Sequence, residues 1–343
     1  KQLWLDPGDP AAREHSLAVI RDVAARYDID GVHLDDYFYP YPISDDAGKP
    51  LPFPDDATYQ RYRDDGGKLA RDDWRRNNVD TFVEQLYEQV HAIKPHVQVG
   101  ISPFGIARPG QPAYIKGFDQ YAQIYADAER WLAEGWCDYL VPQLYWAIDN
   151  PDQSFTGLLR WWLAHNPRDR HVWPGFYTSR TDDGTARAFR DTEVLYQVEW
   201  SRILADENDA TRGHIHFSMK ALMQNRAGLA DALGPNHYAQ PALTPASPWL
   251  AQRRPDAPKP LGYTQQGNRL VVAVDPASVR DGRAWIVQVQ RDDIWSYMIA
   301  PPSISRTQMT FDRTGNVQRV VVWQTDRTGV GSAIAEVPAL LED

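Results

Sequence analysis

The chain has 343 residues, with 46 acidic against 36 basic side chains and a formal net charge of −10. We expect no nucleic-acid partner, because binding a phosphate backbone requires a basic surface. No run of residues is long and apolar enough to predict an integral membrane segment. The single cysteine, Cys137, excludes an internal disulfide framework and is expected to be an inert buried thiol.

Aromatic residues are abundant, with 13 Trp and 17 Tyr. Amphipathic rings are suited to stacking on the apolar faces of sugars, as they are to packing at interfaces. A large aromatic-rich core would need the same residues. Composition therefore leaves a carbohydrate site and an aromatic core as two open interpretations.

Five segments share one pattern, a short apolar strand that ends in polar or aromatic residues and precedes a helical stretch. They are residues 30–36, 97–104, 138–146, 171–177 and 213–218. Helices are predicted over residues 11–27, 77–93, 118–134, 155–165 and 192–205. This alternation predicts a parallel sheet that is covered on both faces.

Polar and aromatic residues gather at the carboxyl end of each predicted strand, where the active sites of barrels lie. A doubly wound sheet would usually have a Gly-rich phosphate loop, and none follows these strands. The predicted fold class is therefore α/β, a (β/α)8 TIM-type barrel. Since eight strands are needed for closure and five are visible, we expect the first strands to precede Lys1. A long insertion at residues 37–73 is predicted to be an ordered loop rather than a helix.

Composition changes near Pro235, which suggests three regions: a barrel domain at residues 1–240, a Pro-rich linker at residues 241–257 and a β-sandwich at residues 258–343. In the last region strands are predicted at residues 269–275, 284–291, 295–299, 308–312 and 317–325. Its final segment resembles the last hairpin of a fibronectin type III domain. We expect no catalytic constellation in this region.

The sharpest motif is the run from Asp30 to Pro40, which contains two adjacent acids, Asp35 and Asp36. Alternation along the strand places His33 and Asp35 on the face toward the barrel axis. Hydrolysis of a glycosidic bond needs two carboxyl groups, and burial with mutual repulsion would keep one of them protonated. We interpret Asp35 and Asp36 as catalytic; a pair that only caps the following loop is the alternative. His33 either orients Asp35 or packs in the core.

Several runs of residues, taken with this motif, resemble the glycosyl-hydrolase-like family ten, also called domain of unknown function 187. They lie at residues 3–8, 30–40, 73–79, 100–106, 142–146 and 216–220, and the resemblance covers residues 1–240. Members are secreted or lipid-anchored bacterial proteins, and one is a division-site enzyme that cuts peptidoglycan glycan strands stripped of their peptides. The resemblance implies a glycosidase with a polysaccharide substrate, denuded peptidoglycan first. It also implies an extracytoplasmic location (periplasmic, lipid-anchored or secreted), a signal sequence outside this chain, and division-machinery or envelope partners.

Other matching positions are predicted to bind substrate rather than to transfer protons. Gln143, Tyr145 and Trp146 end a strand, where an amide can bond hydroxyls while the rings stack on sugars. Helix-opening residues near the rim could bind hydroxyls or an acidic substituent, or could instead form a surface network with the Asp-rich loop. These are Arg75, Arg76 and Asn78. Weaker candidates for substrate binding are Tyr37, Phe104, Arg108, Tyr177 and Lys220.

The second catalytic acid is left open by the sequence. The side chains of Asp35 and Asp36 diverge if both lie on the strand, so they need not face one scissile bond. Glu193 and Asp149 follow later strands and could approach the site, although Glu193 could equally cap its helix. Asp6 either lines the cleft or caps the helix that follows Pro10.

No metal site and no cofactor are expected. His214 and His216 form an H-x-H pair, but no further ligands accompany them, so a core or cleft role is favoured. The function that the sequence favours is that of a glycoside hydrolase. Two alternatives remain: a carbohydrate-binding scaffold without turnover, and a septal interaction protein that docks through its β-sandwich.

Overall fold

The computed structural model describes residues 3–267, 269–279, 282–301, 308–312 and 315–340. The chain divides into two compact units, Lys1–His237 and Tyr238–Asp343. None of the helices that the structure describes is both long and apolar enough to cross a membrane.

In the first unit the helices are α1 (Pro10–Arg26), α2 (Asp56–Asp64), α3 (Arg71–Ile93), α4 (Gln120–Gln123), α5 (Ala128–Glu134), α6 (Phe155–Ala164), α7 (Glu193–Glu207), α8 (Met219–Met223) and α9 (Leu229–Asn236). The strands are β1 (Gly31–Leu34), β2 (Ile43–Ser44), β3 (Pro50–Leu51), β4 (Gln98–Ile101), β5 (Tyr139–Leu140), β6 (His171–Val172), β7 (Gly175–Phe176) and β8 (Ile215–His216).

The parallel strands pair in chain order. β1, β4, β5 and β6 form one sheet, and β7 pairs with β8. Single parallel bridges from Gln143 to Phe104 and to Gly175 continue the ladder between these strands. A doubly wound sheet would reverse its strand order at a switch point, and no reversal occurs in the described residues. The predicted parallel α/β organisation is confirmed, whereas closure into eight strands is not present in the described part of the chain.

Helices cover this sheet with faces that the sequence periodicity predicts. On α3, four buried side chains recur at helical spacing: Val79, Val83, Leu86 and Val90. Leu86 and Val90 share a buried cluster with Leu17 of α1 and with strand residues near β4. Burying these apolar side chains holds the strands in register, so their carboxyl ends meet at one edge.

Two predictions for this unit are corrected. The insertion at residues 37–73 was expected to be helix-free, yet it contains a β2–β3 hairpin and α2. α2 was missed because Thr58 is its only buried residue and most of its side chains are polar. The predicted helix over residues 118–134 is two short helices, since Tyr125 adopts a left-handed φ of 57° and Asp127 caps α5.

The second unit contains two antiparallel sheets. Its strands are β9 (Pro260–Gln266), β10 (Arg269–Val274), β11 (Ala284–Arg291), β12 (Ile294–Ala300), β13 (Gln308–Asp312), β14 (Val317–Thr325) and β15 (Ala335–Glu336). The orders are β13-β10-β9 and β12-β11-β14-β15. Alternate residues of both sheets, such as Val272, Val287 and Val322, share one core, so the sheets pack face to face.

The segment predicted to be a semi-rigid Pro-rich linker, residues 241–257, forms hydrogen bonds within the second unit. The backbone N–H of buried Ser247 donates to the carbonyl of Thr328 (2.7 Å), and the Tyr297 hydroxyl donates to the carbonyl of Pro241 (2.5 Å). These hydrogen bonds place the segment against the sandwich. Strand β9 was not predicted.

Candidate functional site

Asp35 lies directly after β1, at the carboxyl edge of the parallel sheet, and is exposed. Its Oδ1 atom accepts two hydrogen bonds, from Nε2 of Gln143 (3.1 Å) and from the backbone N–H of Asp36 (2.9 Å). Oδ2 accepts none from the residues that the structure describes. The carboxylate is thus fixed through one oxygen and open through the other.

A second hydrogen-bonded layer holds Gln143 in place. Nε2 of Gln143 also donates to the backbone carbonyl of Ser102 (3.1 Å), and the Ser102 hydroxyl is hydrogen-bonded to Nε2 of His33 (2.9 Å). Nδ1 of His33 is hydrogen-bonded to the Tyr139 hydroxyl (3.2 Å), and the two rings stack. His33 therefore reaches Asp35 through Ser102 and Gln143 rather than directly. Burial lowers the pKa of His33, and the negative charge of Asp35 offsets part of that shift.

Asp36 is in a different environment from its neighbour. Its residue is only 5 % exposed, and its Oδ2 accepts a hydrogen bond from the Tyr41 hydroxyl. Burial raises the pKa of Asp36, while the Tyr41 hydrogen bond opposes the shift. The chain turns after Asp35 and buries the Asp36 carboxyl, on which the charge of Asp35 still acts by raising its pKa. The catalytic role of Asp36 stays a prediction.

A cavity of about 450 Å³ adjoins Asp35 on the β1 side. Among the residues that line it are Trp4, Asp6, Asp35, Tyr37 and Phe38. Oδ1 of Asp6 accepts from the Gly8 backbone (2.8 Å) and Oδ2 from the Thr58 hydroxyl (2.6 Å). Asp6 thus lines the cavity, as one of its two predicted roles has it. The cap of α1 is Asp9, not Asp6.

Aromatic rings form a wall beyond Gln143. The Tyr145 ring lies 4.8 Å from that of Tyr177 and 5.8 Å from that of Phe217, measured between centroids. Trp146 packs edge-on against Phe104 at 5.5 Å. Phe217 was not singled out in the sequence, although it follows β8 and is 51 % exposed. The sequence signal that could have found Phe217 is an aromatic residue directly after a predicted strand, at the end of the sheet where the other site residues lie.

The helix-opening residues of α3 are used within the protein. Arg75 forms a two-point ion pair with buried Asp55 (2.6 and 2.7 Å) and donates to the Tyr125 hydroxyl (2.6 Å). Asn78 is buried. For Arg75 the structure therefore has the alternative to substrate binding, a network with the Asp-rich insertion. The substrate-binding role of Asn78 stays a prediction.

Arg76 and Arg108 share one aromatic partner. Their guanidinium carbons lie 4.1 Å and 3.8 Å from the centroid of the Tyr121 ring. Arg76 also donates to the carbonyl of Tyr121 (3.1 Å) and pairs with Asp73. Both arginines thus belong to a stack on Tyr121, and Arg108 is exposed.

Three candidates remain, Glu193, Asp149 and Lys220. Oε1 of buried Glu193 accepts from the backbone N–H of Ile148 (2.8 Å) and from Gln197 (2.9 Å), so it fastens the loop after β5. Asp149 is exposed and lies 3.7 Å from Arg190. Lys220 is exposed on α8. Within the described ranges, no group of three or more His, Cys, Asp or Glu side chains is arranged to hold a metal ion.

The fold and the site together define a class of protein. Parallel β/α units in chain order, with a fixed but open carboxylate, an amide and exposed rings at the strand ends, are typical of carbohydrate-active β/α proteins. The chain belongs to the glycosyl hydrolase-like 10 family, whose model matches residues 1–182.

Named relatives agree with this assignment. The chain is 37 % identical over 286 residues to glycosyl hydrolase YngK of Bacillus subtilis (strain 168), covering 81 % of this chain and 54 % of that protein. It is 35 % identical over 163 residues to glycosyl hydrolase DigH of Escherichia coli (strain K12), covering 46 % of this chain and 35 % of DigH. The chain thus spans about half the length of YngK and about a third of DigH.

A solved structure with a weaker likeness is that of bee venom hyaluronidase in complex with a hyaluronic acid tetramer. It is 14 % identical in sequence with a TM-score of 0.35, and the match covers 68 % of this chain and 98 % of the hyaluronidase chain.

Proposed function

We propose that this protein is a glycoside hydrolase of the bacterial cell envelope that cleaves denuded peptidoglycan glycan strands, with Asp35 as its reactive carboxylate. One observation carries the proposal: Asp35 is exposed at the sheet's carboxyl edge, with one oxygen anchored by Gln143 and the other open. Family membership supports the reaction class. The proposed extracytoplasmic location and envelope partners follow from the substrate.

Asp35 is the nucleophile or general base in this proposal. Glycosidic cleavage passes through an oxocarbenium-like transition state, which needs a carboxylate held against the anomeric carbon. Two hydrogen bonds to Oδ1 limit the rotation of the carboxylate, so less orientational entropy is lost when the sugar binds. The rings of Tyr145, Tyr177 and Phe217 supply flat surfaces on which the sugars can stack.

Asp36 supports Asp35. Its backbone N–H donates to Asp35, and burial raises the pKa of its carboxyl. The hydrogen bond from Tyr41 opposes that rise in pKa, and the negative charge of Asp35 adds to it. Because Asp36 is buried, the other carboxyl within the proposed site is that of Asp6, which lines the same cavity as Asp35.

The proposed substrate carries a group that can replace a second accessible acid. Peptidoglycan sugars carry an acetamido group beside the anomeric carbon, and in substrate-assisted glycosidases that group serves as the nucleophile. In this route Asp35 donates a proton to the leaving oxygen and then accepts one from water instead of acting as nucleophile, so one accessible carboxyl suffices for proton transfer. We include this route in the proposal because it is compatible with a single open acid.

The test is incubation of the protein with denuded glycan strands, followed by an assay of new reducing ends and mass analysis of the fragments. We expect shorter saccharides to accumulate, and no fragments from cellulose under the same conditions. Binding without any new reducing end would favour the second candidate, a carbohydrate-binding scaffold. That candidate is motivated by the burial of Asp36, which leaves one accessible acid in the pair.

For the second unit we propose a fibronectin type III-like sandwich. Its support is the three-plus-four strand arrangement, in which β9, β10 and β13 form one sheet and β11, β12, β14 and β15 form the other. No catalytic role is proposed for it.

A further inference from the structure

A second pocket, of about 210 Å³, opens beside the aromatic wall and has three arginines around it. Its lining includes Trp146, Phe189, Arg180, Arg187 and Arg190. We call this the arginine pocket. All five residues follow β5 or β7, so the pocket opens on the carboxyl side of the sheet, as Asp35 does.

Arg180 is the fixed member of this group. Its Nη1 donates to the backbone carbonyl of Tyr145 (3.1 Å), and its guanidinium carbon lies 4.8 Å from the Tyr177 ring centroid and 5.3 Å from that of Phe189. No carboxylate of the described residues forms an ion pair with it. A guanidinium that is held by rings and a carbonyl retains its positive charge for a ligand.

Arg187 and Arg190 are the exposed members. Arg190 lies 3.7 Å from Asp149, and both side chains are largely in water, so this pair is weak and replaceable. Glu193, the other acid of the lining, is buried and uses Oε1 to accept from the Ile148 backbone. Nearby Asp183 is engaged with the backbone N–H and the hydroxyl of Thr185. Counted over the lining, three guanidinium groups face the carboxylates of Asp149 and Glu193, which leaves an excess of one positive charge.

Trp146 links the arginine pocket to the proposed sugar site. Its ring packs on Phe104 beside the Gln143 strand end, and it also lines the arginine pocket. Arg180 bonds the backbone of Tyr145, the residue before Trp146. A polysaccharide lying on the aromatic wall would thus bring a substituent of a neighbouring sugar to the arginines.

We propose that the arginine pocket binds the carboxylate of an acidic sugar in the polymer, which rests on the proposed function and narrows its substrate class. The planar guanidinium fork matches carboxylate geometry with two parallel hydrogen bonds. In denuded strands the lactyl group of each muramic sugar ends in a free carboxylate. In peptide-bearing strands the same carbon forms an amide and carries no charge, so the pocket selects the stripped polymer. A uronic acid offers the same chemistry from another source.

The experiment compares binding of three polymers to the protein by equilibrium titration. They are denuded glycan strands, the same strands after reduction of the lactyl carboxyl to a primary alcohol, and hyaluronate. The test variant is Arg187→Gln/Arg190→Gln. The control is Arg160→Gln/Arg212→Gln, which removes the same charge from exposed positions outside the pocket.

We expect the unmodified protein to bind denuded strands roughly tenfold more tightly than carboxyl-reduced strands, as two charge-assisted hydrogen bonds at a wet site would give. The test variant should lose this preference without weaker binding of the reduced strands, and the control should keep it. Binding of hyaluronate that equals binding of denuded strands would assign the pocket to carboxylates in general; weak binding of hyaluronate would assign it to the lactyl group.

Equal affinity of the unmodified protein for native and reduced strands would overturn the proposal, as would a preference that survives in the test variant. The reducing-end assay, run in parallel, keeps the two proposals apart. Equal cleavage of both strands contradicts the arginine pocket and leaves the glycosidase standing. A carboxylate preference in binding without any cleavage contradicts the glycosidase and leaves the pocket standing.

Discussion

Gln143 donates a hydrogen bond of 3.1 Å to Asp35 from a strand end 108 positions away in the chain. The same amide nitrogen is bonded to the carbonyl of Ser102, which follows the strand between them. Three neighbouring strand ends are thus joined at the atom that fixes the proposed reactive carboxylate. The parallel sheet therefore has a direct chemical role: it sets the orientation of Asp35.

Replacing Gln143 by Leu should lower kcat on denuded strands by roughly 10- to 100-fold, because Asp35 would no longer be held in one orientation. The free energy of unfolding should fall by only about 1 kcal/mol, since the lost hydrogen bonds are partly exposed. Steady-state kinetics and chemical denaturation measure both. Gln123→Leu, on an exposed face of α4, is the matched control. A higher KM with an unchanged kcat would instead show that Gln143 only binds the sugar and does not orient Asp35.

Phe217→Ala should raise KM by roughly 3- to 10-fold with little change in kcat, because stacking on an exposed ring contributes about 0.5–1.5 kcal/mol. The ring is 51 % exposed, so thermal stability should stay close to that of the parent. Met223→Ala is the control, since Met223 is 80 % exposed and lies outside the ring cluster. An unchanged KM would remove Phe217 from the substrate wall.

We predict that Arg75 stabilises the fold through its buried ion pair with Asp55 and does not bind substrate. Arg75→Ala should destabilise the protein by about 3 kcal/mol, because it leaves the buried Asp55 carboxylate with only its 3.5 Å contact to Arg71. The double change Arg75→Met/Asp55→Leu should recover most of that loss, since both charges are then absent. Urea denaturation of the two variants measures this. If Arg75→Ala were fully stable and only failed to bind glycan, the residue would be a substrate ligand after all.

Stability of the first unit should fall as the solution is acidified from pH 7 to pH 5. Burial lowers the pKa of His171 and His216 to about 4 and that of His214 to about 3. In the unfolded chain the pKa of histidine is about 6.5, so below this pH the unfolded chain binds protons that the folded chain does not bind. This lowers the free energy of unfolding by up to about 2 kcal/mol per histidine at pH 5. Asp80, whose pKa burial raises to about 6, opposes this by a smaller amount.

The second unit is the internal control for this effect, because all nine histidines precede residue 238. Pulse proteolysis in urea, with the fragments identified by mass, follows the two units separately. The transition of the first unit should shift to lower urea at pH 5, and that of the second unit should stay nearly constant. Parallel shifts in both units would mean that the three histidines are not the cause.

Regular parts of the fold were predictable because side chains on one face of a helix or strand are buried, which leaves a pattern in the sequence. Buried residues of α3 repeat at helical spacing and those of β10 alternate, so periodicity found these two elements. β14 was found from its run of β-branched residues, since three consecutive valines in it are buried. α2 was not predictable in the same way, because it is held by Asp55 and Arg75 rather than by an apolar face. β9 was missed because it follows a Pro-rich stretch and itself begins with Pro260, a residue that argues against a strand.

The site was predictable in its types of residue but not in its contacts. Strand alternation placed Asp35 at the sheet edge, and the structure has it there. Alternation cannot tell how the chain turns after a strand, so it could not show that Asp36 is covered by Tyr41. Whether Arg75 binds a ligand or an internal acid depends on Asp55, twenty positions away in an insertion whose path no pattern specifies.

The measurement that most directly tests the central claim is the rate of reducing-end release from denuded glycan strands by Asp35→Asn. Asparagine keeps the shape and accepts a hydrogen bond but lacks the charge of the carboxylate, and Asp46→Asn, in an exposed turn, is the control. The account predicts that Asp35→Asn folds normally, still binds the strands and releases no reducing ends above background, while the control retains full activity. Release at the parent rate by the folded Asp35→Asn variant would contradict it.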